Sequence, residues 1–315
     1  METSERRLAY LAWAAVCFFW GTTYLAIRVG LETLPPALFS GLRFLIAGTI
    51  LVLWLRLRGE GLPSGRDWLR LAVVGLSLLG VGNLAVVWSE QFIPSGMAAL
   101  LVATSPFWTV GLEAALPGGE RLTLRTVGGL LLGFAGLALL VAPKLGEGAG
   151  HGSPFWGIVA LQVGCASWSI GSVYARRQPV EVKPLMGAAI QMLFAGVALV
   201  LVGTLKGEWP HVAFSGRSLA ALLYLVAFGS ILAYGSYIYA LQKLPLSTIS
   251  LYTYINPVIA VGLGWAFAGE MLSIRDWVAV GIILAAVGVV RSGPAPKPVQ
   301  RGATAAAQQA APSEG

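Results

Sequence analysis

Chemistry on this chain falls to a few polar residues set in long apolar runs. Arg43 lies within Leu42-Arg43-Phe44-Leu45-Ile46-Ala47, where a cation costs several kcal/mol unless it snorkels or pairs. It could hold a substrate carboxylate through a charge-assisted bond; the structural alternative is an ion pair with Glu32 or Glu90. Asn83 and Tyr234 also interrupt apolar stretches. An amide or phenol there needs hydrogen bonds, so each is either a substrate contact or glue between helices. Trp20 and Trp168 sit near the middle of their runs, although Trp favours membrane interfaces. An indole N–H wants a partner, which makes these residues pocket lining or helix packing. Tyr24 lies one helical turn beyond Trp20 on the same face. Ser105-Pro106 and Asn256-Pro257 mark the centres of two further runs. Proline removes an i→i−4 bond and frees a carbonyl, so Ser105 and Asn256 are candidate contacts, and Pro106 and Pro257 candidate hinges or simple kinks.

Other chemistry is missing. No Lys follows a Gly, which removes the Walker-type phosphate loop. No Ser has Gly two residues to either side, so there is no nucleophile elbow. His151 and His211 fall between apolar runs without a ligand cluster. These absences predict no catalytic residue, no metal site and no cofactor. The two cysteines, Cys17 and Cys165, lie inside apolar runs and form no disulfide framework.

The elements that must position the candidates are dictated by composition. The 315 residues are 57 % apolar and 11 % charged, with a mean hydropathy of +0.76. Soluble domains run near 45–50 % apolar and about 25 % charged. With 21 Lys and Arg and 14 Asp and Glu, a water-facing surface of this size could not be covered, so the apolar residues face lipid. The net charge of +7 does not point to nucleic acid, because the cations are scattered singly; cytoplasmic loops of membrane proteins collect the same excess.

A helix needs about 20 residues to cross ~30 Å of hydrocarbon. Ten runs meet that need: 8–30, 36–57, 68–90, 94–116, 123–142, 155–177, 184–205, 219–242, 245–268 and 274–291. The first exceeds a signal peptide's apolar stretch and has no Ala-x-Ala site, so it reads as a retained helix. Residues 293–315 are rich in Pro, Ala and Gln and read as a disordered cytoplasmic tail. With the N-terminus inside, fifteen Lys and Arg fall on cytoplasmic segments and five on external ones, which places both termini in the cytoplasm. Small-residue series at Gly129, Gly133 and Gly136, and at Gly281, Ala285 and Gly288, suit close helix packing within the chain or across a dimer. They leave monomer and homodimer open.

The chain also repeats itself. A shift of 148 brings Cys17 onto Cys165, Trp20 onto Trp168 and Arg28 onto Arg176; a shift of 151 brings Gln91 onto Gln242, Pro94 onto Pro245, Pro106 onto Pro257 and Asn83 onto Tyr234. The repeat predicts two five-helix units, residues 1–143 and 154–292. Five is odd, so the second unit enters the membrane upside down relative to the first. Inverted repeats mark secondary transporters, with the site near mid-membrane between the copies.

The first unit reads Trp20-Gly21-Thr22-Thr23-Tyr24, Arg28, Pro35, Arg43-Phe44 and Ala47, then Pro94, Gly96, Ala98, Ala99, Ser105-Pro106 and Glu120-Arg121-Leu122-Thr123. The second carries Trp168, Pro245, Asn256-Pro257, Glu270 and Leu272-Ser273. In this order, with the duplication, the chain resembles the EamA family of the drug/metabolite transporter superfamily over about residues 8–291. The resemblance implies a ten-helix carrier of the inner membrane, often an exporter of amino acids or other small metabolites. One departure from symmetry stands out: the shift of 148 answers Arg43 with Gln191, which joins the candidate contacts and makes the half-sites chemically unequal.

The expectation is an all-α membrane protein of ten transmembrane helices in two inverted five-helix repeats, and not an enzyme. It moves a small neutral or zwitterionic metabolite by alternating access, through a centre rich in aromatic and amide groups. A membrane-embedded enzyme, or a channel-like or structural membrane protein, is the alternative.

Overall fold

Where no water can bond to the backbone, each peptide group must be satisfied within its own segment, and these apolar runs accordingly coil. The computed structural model describes residues 3–93, 95–119, 122–141, 154–268 and 273–291, and their regular structure is helical throughout. Pro94, Glu120, Arg121, Glu270 and the tail lie outside the described residues.

The first half holds α1 (Thr3–Leu31), α2 (Pro36–Leu57), α3 (Asp67–Ser89), α4 (Ser95–Val102, then Ser105–Ala115) and α5 (Leu124–Val141). The second holds α6 (Pro154–Arg177), α7 (Pro184–Leu205), α8 (Gly216–Lys243), α9 (Leu246–Ile249, then Tyr252–Ala268) and α10 (Ile274–Arg291). Six of them, α1, α2, α3, α6, α7 and α8, are long and apolar enough to cross a membrane unaided.

Equivalent helices share their local chemistry. Both α2 and α7 open on a proline at the first turn, where the missing N–H has no intrahelical partner to lose. Both are followed by a glycine in the left-handed region, Gly59 at φ 79° and Gly207 at φ 68°, a conformation other L-residues adopt only under strain. Both α3 and α8 widen into π-helical turns, over Leu76–Asn83 and Leu225–Tyr234. Such turns cluster at functional sites. Each stretch accepts a donor from the opposite half: Ser77 O from Ser167 Oγ at 2.9 Å, and Gly229 O from Trp20 Nε1 at 3.0 Å.

Packing across the halves is reciprocal. A Cβ on Gly48 of α2 would come 2.9 Å from Ala189 O of α7, and one on Gly196 of α7 would come 2.7 Å from Leu45 N of α2. Gly48 and Gly196 are repeat mates, and both must be bare for these backbones to meet. Between α5 and α10 the bare positions lie on α5 alone, with Gly129 against Val290 and Gly136 against Ile282. The other small-residue series faces outward: Gly281 and Gly288 look onto open space.

The two prolines sit differently in their helices. Pro106 is the second residue of the helix Ser105–Ala115, where its missing N–H costs nothing. Pro257 lies inside Tyr252–Ala268. The break in α9 comes earlier, at Ser250–Leu251, through tight turns from Leu251 N to Thr248 O (3.3 Å) and Thr253 N to Ser250 O (3.3 Å).

The helices alternate in direction, and ion pairs tie the halves at the face where α1 begins, called basal below. Lys243 pairs with Glu5 at 3.3 Å and Arg177 with Glu113 at 3.1 Å, while Lys183 pairs with Glu60. Asp67 Oδ2 accepts Glu181 N at 2.9 Å. At the opposite face Arg217 pairs with Glu32 at 3.0 Å.

Candidate functional site

Trp20 and Trp168 meet edge to face at the centre of the bundle, their ring centroids 5.4 Å apart. Repeat mates meet only near the pseudo-twofold axis, so this contact marks the middle of the molecule. Tyr252 and Tyr237 close round Trp20 at 5.0 and 5.3 Å. The polar edges are satisfied: Trp168 Nε1 donates to Tyr237 Oη at 2.9 Å, which also bonds Ser172 Oγ at 2.7 Å. The cluster forms an aromatic partition, with a cavity on either side.

The larger cavity measures about 740 Å³ with the open solvent at its mouth included. Eight of the nine candidate contacts line it: Trp20, Tyr24, Arg43, Asn83, Ser105, Trp168, Tyr234 and Asn256. It rises past Ile27 and Val86 toward the face opposite the basal one. The smaller space, about 230 Å³, lies below the partition and shares Ser105, Trp168 and Tyr252 with the first; Thr109 and Thr253 add hydroxyls to it.

Arg43 does not make either ion pair considered from the sequence. It is only 4 % exposed, and its Nε donates to Ser230 Oγ at 2.8 Å. Glu32 is taken by Arg217, and the Glu90 carboxylate has no hydrogen-bond partner among the described residues. The guanidinium therefore borders the cavity with no carboxylate bonded to it. Glu113 pairs with Arg177 in the other half.

The ninth candidate, Gln191, stands one layer behind the wall. Its Oε1 accepts the Tyr234 hydroxyl at 2.7 Å. Because Gln191 and Tyr234 are the repeat mates of Arg43 and Asn83, that bond has a mirror position in the first half. There the two partners are not bonded to each other. Asn83 Oδ1 is buried without a hydrogen-bond partner, and both residues line the cavity. One half-site is closed by a bond between its partners; its mirror image is not, and carries a buried cation and an unpartnered acceptor. Asn256 is different again: with its nitrogen toward the carbonyls, it donates to Cys17 O at 2.8 Å and Tyr252 O at 2.9 Å, stitching α1 to α9.

Several wall residues carried no polar signal in the sequence. Gly82 and Gly164 line the cavity because α3 and α6 cross closely: a Cβ on Gly164 would lie 2.5 Å from that of Ala85. A glycine at the level of a buried Trp was the available clue. Gly229 enters because its carbonyl takes the Trp20 N–H.

The EamA-like transporter family model matches residues 7–142 and again 155–292. The uncharacterized inner membrane transporter YedA of Escherichia coli (strain K12) is 40 % identical over 280 residues, 89 % of each chain. The uncharacterized transporter YoaV of Bacillus subtilis is 25 % identical over 277 residues, 87 % of this chain and 93 % of the relative. Protein PagO of Salmonella typhimurium is 28 % identical over 280 residues, 86 % and 90 % of the two chains. A protein of known crystal structure, 23 % identical, superposes with a TM-score of 0.75 over 89 % of this chain and 95 % of its own, which shows a shared fold. The chain belongs to the EamA-like transporter family.

Proposed function

We propose that this protein is a secondary transporter of the inner membrane that exports small neutral or zwitterionic metabolites, such as amino acids, by alternating access. The observation that carries the reading is the half-open site between inverted halves. Arg43 offers guanidinium donors suited to a carboxylate. Asn83 Oδ1, buried and unpartnered, offers an acceptor suited to an ammonium. The aromatic wall of Trp20, Tyr24 and Trp168 takes a partly apolar body. Among the described residues no acidic side chain lines the cavity, so a substrate of net positive charge finds a buried cation and nothing there to balance it.

Transport then needs two packings of nearly equal free energy. The inverted halves supply them, because exchanging the conformations of the repeats exchanges the open face. In the packing described here three ion pairs join the halves at the basal face and one, Arg217 with Glu32, joins them at the other, toward which the cavity extends. The excess of Lys and Arg on basal segments supports a cytoplasmic basal face, with both termini there.

Counterflow into proteoliposomes, screened over labelled neutral amino acids and other small metabolites, tests the reading. Saturable, ATP-independent accumulation of a carboxylate-bearing compound is the expected result. Flux that rises linearly with concentration, or chemical conversion without crossing, contradicts it.

A further inference from the structure

In an inverted repeat, contacts that close one face in one state have mates that close the other face in the other state. At the closed basal face, Arg176 of α6 reaches to the turn between α8 and α9, where its Nη1 donates to Leu241 O at 3.4 Å and to Leu244 O. The mate of Arg176 is Arg28 of α1, and the mates of Leu241 and Leu244 are Glu90 and Ile93, in the turn after α3. All three sit at the opposite face, toward which the cavity extends past Ile27 and Val86. Here the contact is unmade: Arg28 is exposed and bonded to neither carbonyl.

Glu90 supplies a second, independent observation. Both of its carboxylate oxygens are buried, and neither has a hydrogen-bond partner. Arg28 is the charged group that acts on it electrostatically. An orphaned buried carboxylate is costly, and a state that gave it a cation would relieve that cost. Glu90 lies one helical turn beyond Val86 and Arg28 one residue beyond Ile27, both of which line the upper cavity.

We propose that Arg28 and Glu90 are the gate of the face opposite the basal one. In the state open to the basal side, Arg28 folds over the turn after α3, donates to the carbonyls of Glu90 and Ile93, and pairs with the Glu90 carboxylate. The inference rests on the alternating-access reading above. The two gates are unequal: the basal one has Leu241 where this one has Glu90, and borrows its ion pair from Arg177 and Glu113.

The test compares two thiols in a Cys17→Ala, Cys165→Ala background: Val86→Cys in the upper cavity and Thr253→Cys in the lower. Each is labelled with a membrane-impermeant maleimide from its own face of sealed vesicles, and the ratio of the two rates reports the balance of states. Arg28→Ala and Glu90→Gln should each raise the upper-to-lower ratio about three- to tenfold, and Arg28→Lys should stay near wild type. The swap Arg28→Glu with Glu90→Arg should bring the ratio back toward wild type. A ratio unchanged within about twofold in both single variants, or a swap no closer to wild type than they are, overturns the gate. A Thr253→Cys thiol that never reacts from the basal face in any variant removes alternating access itself, and the gate with it.

Discussion

The two halves of this protein are alike where helices meet helices and unlike where they meet the cavity. Gly48 and Gly196 make reciprocal backbone contacts between α2 and α7, and Leu76–Asn83 and Leu225–Tyr234 widen equivalent helices. At the cavity the second half closes on itself through Tyr234 and Gln191. In the first, Arg43 and Asn83 line the cavity without bonding to each other, and Asn83 Oδ1 has no hydrogen-bond partner. Equal packing is what gives an inverted repeat two states of similar free energy. Unequal chemistry is what lets one cavity hold a molecule whose own ends differ. A fully symmetric site would offer two cations or two sealed bonds, and neither suits a zwitterion.

That contrast can be broken from either side. The largest effect is expected at Arg43→Gln. Loss of a charge-assisted bond of about 1.5–3 kcal/mol should raise the KM for a zwitterionic substrate roughly ten- to hundredfold, with folding retained, as counterflow kinetics would measure. Next come the scaffold glycines. Gly48→Ala and Gly196→Ala place a Cβ 2.9 and 2.7 Å from backbone atoms, so each should cost about 1–3 kcal/mol of stability, by similar amounts, in thermal melts in detergent. Gly281→Ala meets open space and should not. Tyr234→Phe strands Gln191 Oε1 and should lower stability by about 1–2 kcal/mol while leaving KM near wild type. Its mirror variant, Asn83→Ala, removes an acceptor already unpartnered. The melting temperature should barely move, and KM should rise only a few-fold.

Helix positions and the duplication were legible in the sequence because hydropathy and rare residues carry both signals. Trp20 and Trp168 could be placed near the centre by depth alone, since an indole far from the interface must find a partner inside. The partner of Arg43 was not legible. Charge complementarity suggested Glu32 or Glu90, but a hydroxyl 187 residues away, on Ser230, receives its Nε, and hydroxyls leave no mark in a charge pattern. Gln191 was read by symmetry as a wall residue. Symmetry fixes depth and helix face, not whether a neighbour such as Tyr234 has already taken the amide. The π-helical turns had no sequence signal, because they depend on tertiary packing across the halves. The break in α9 at Ser250–Leu251 had no proline to mark it, and Pro257 lies within the helix that follows, since one lost hydrogen bond need not end a helix.

The account stands on one cavity served alternately from two faces, and trans-stimulation addresses that directly. Vesicles are loaded with a labelled substrate from the counterflow screen, and its exit is timed with and without the same unlabelled compound outside. Alternating access predicts that the outside compound speeds the exit several-fold and that the acceleration saturates. Exit that is unchanged or slowed by it, with no saturation at either face, would mean a continuous pore and would contradict the account.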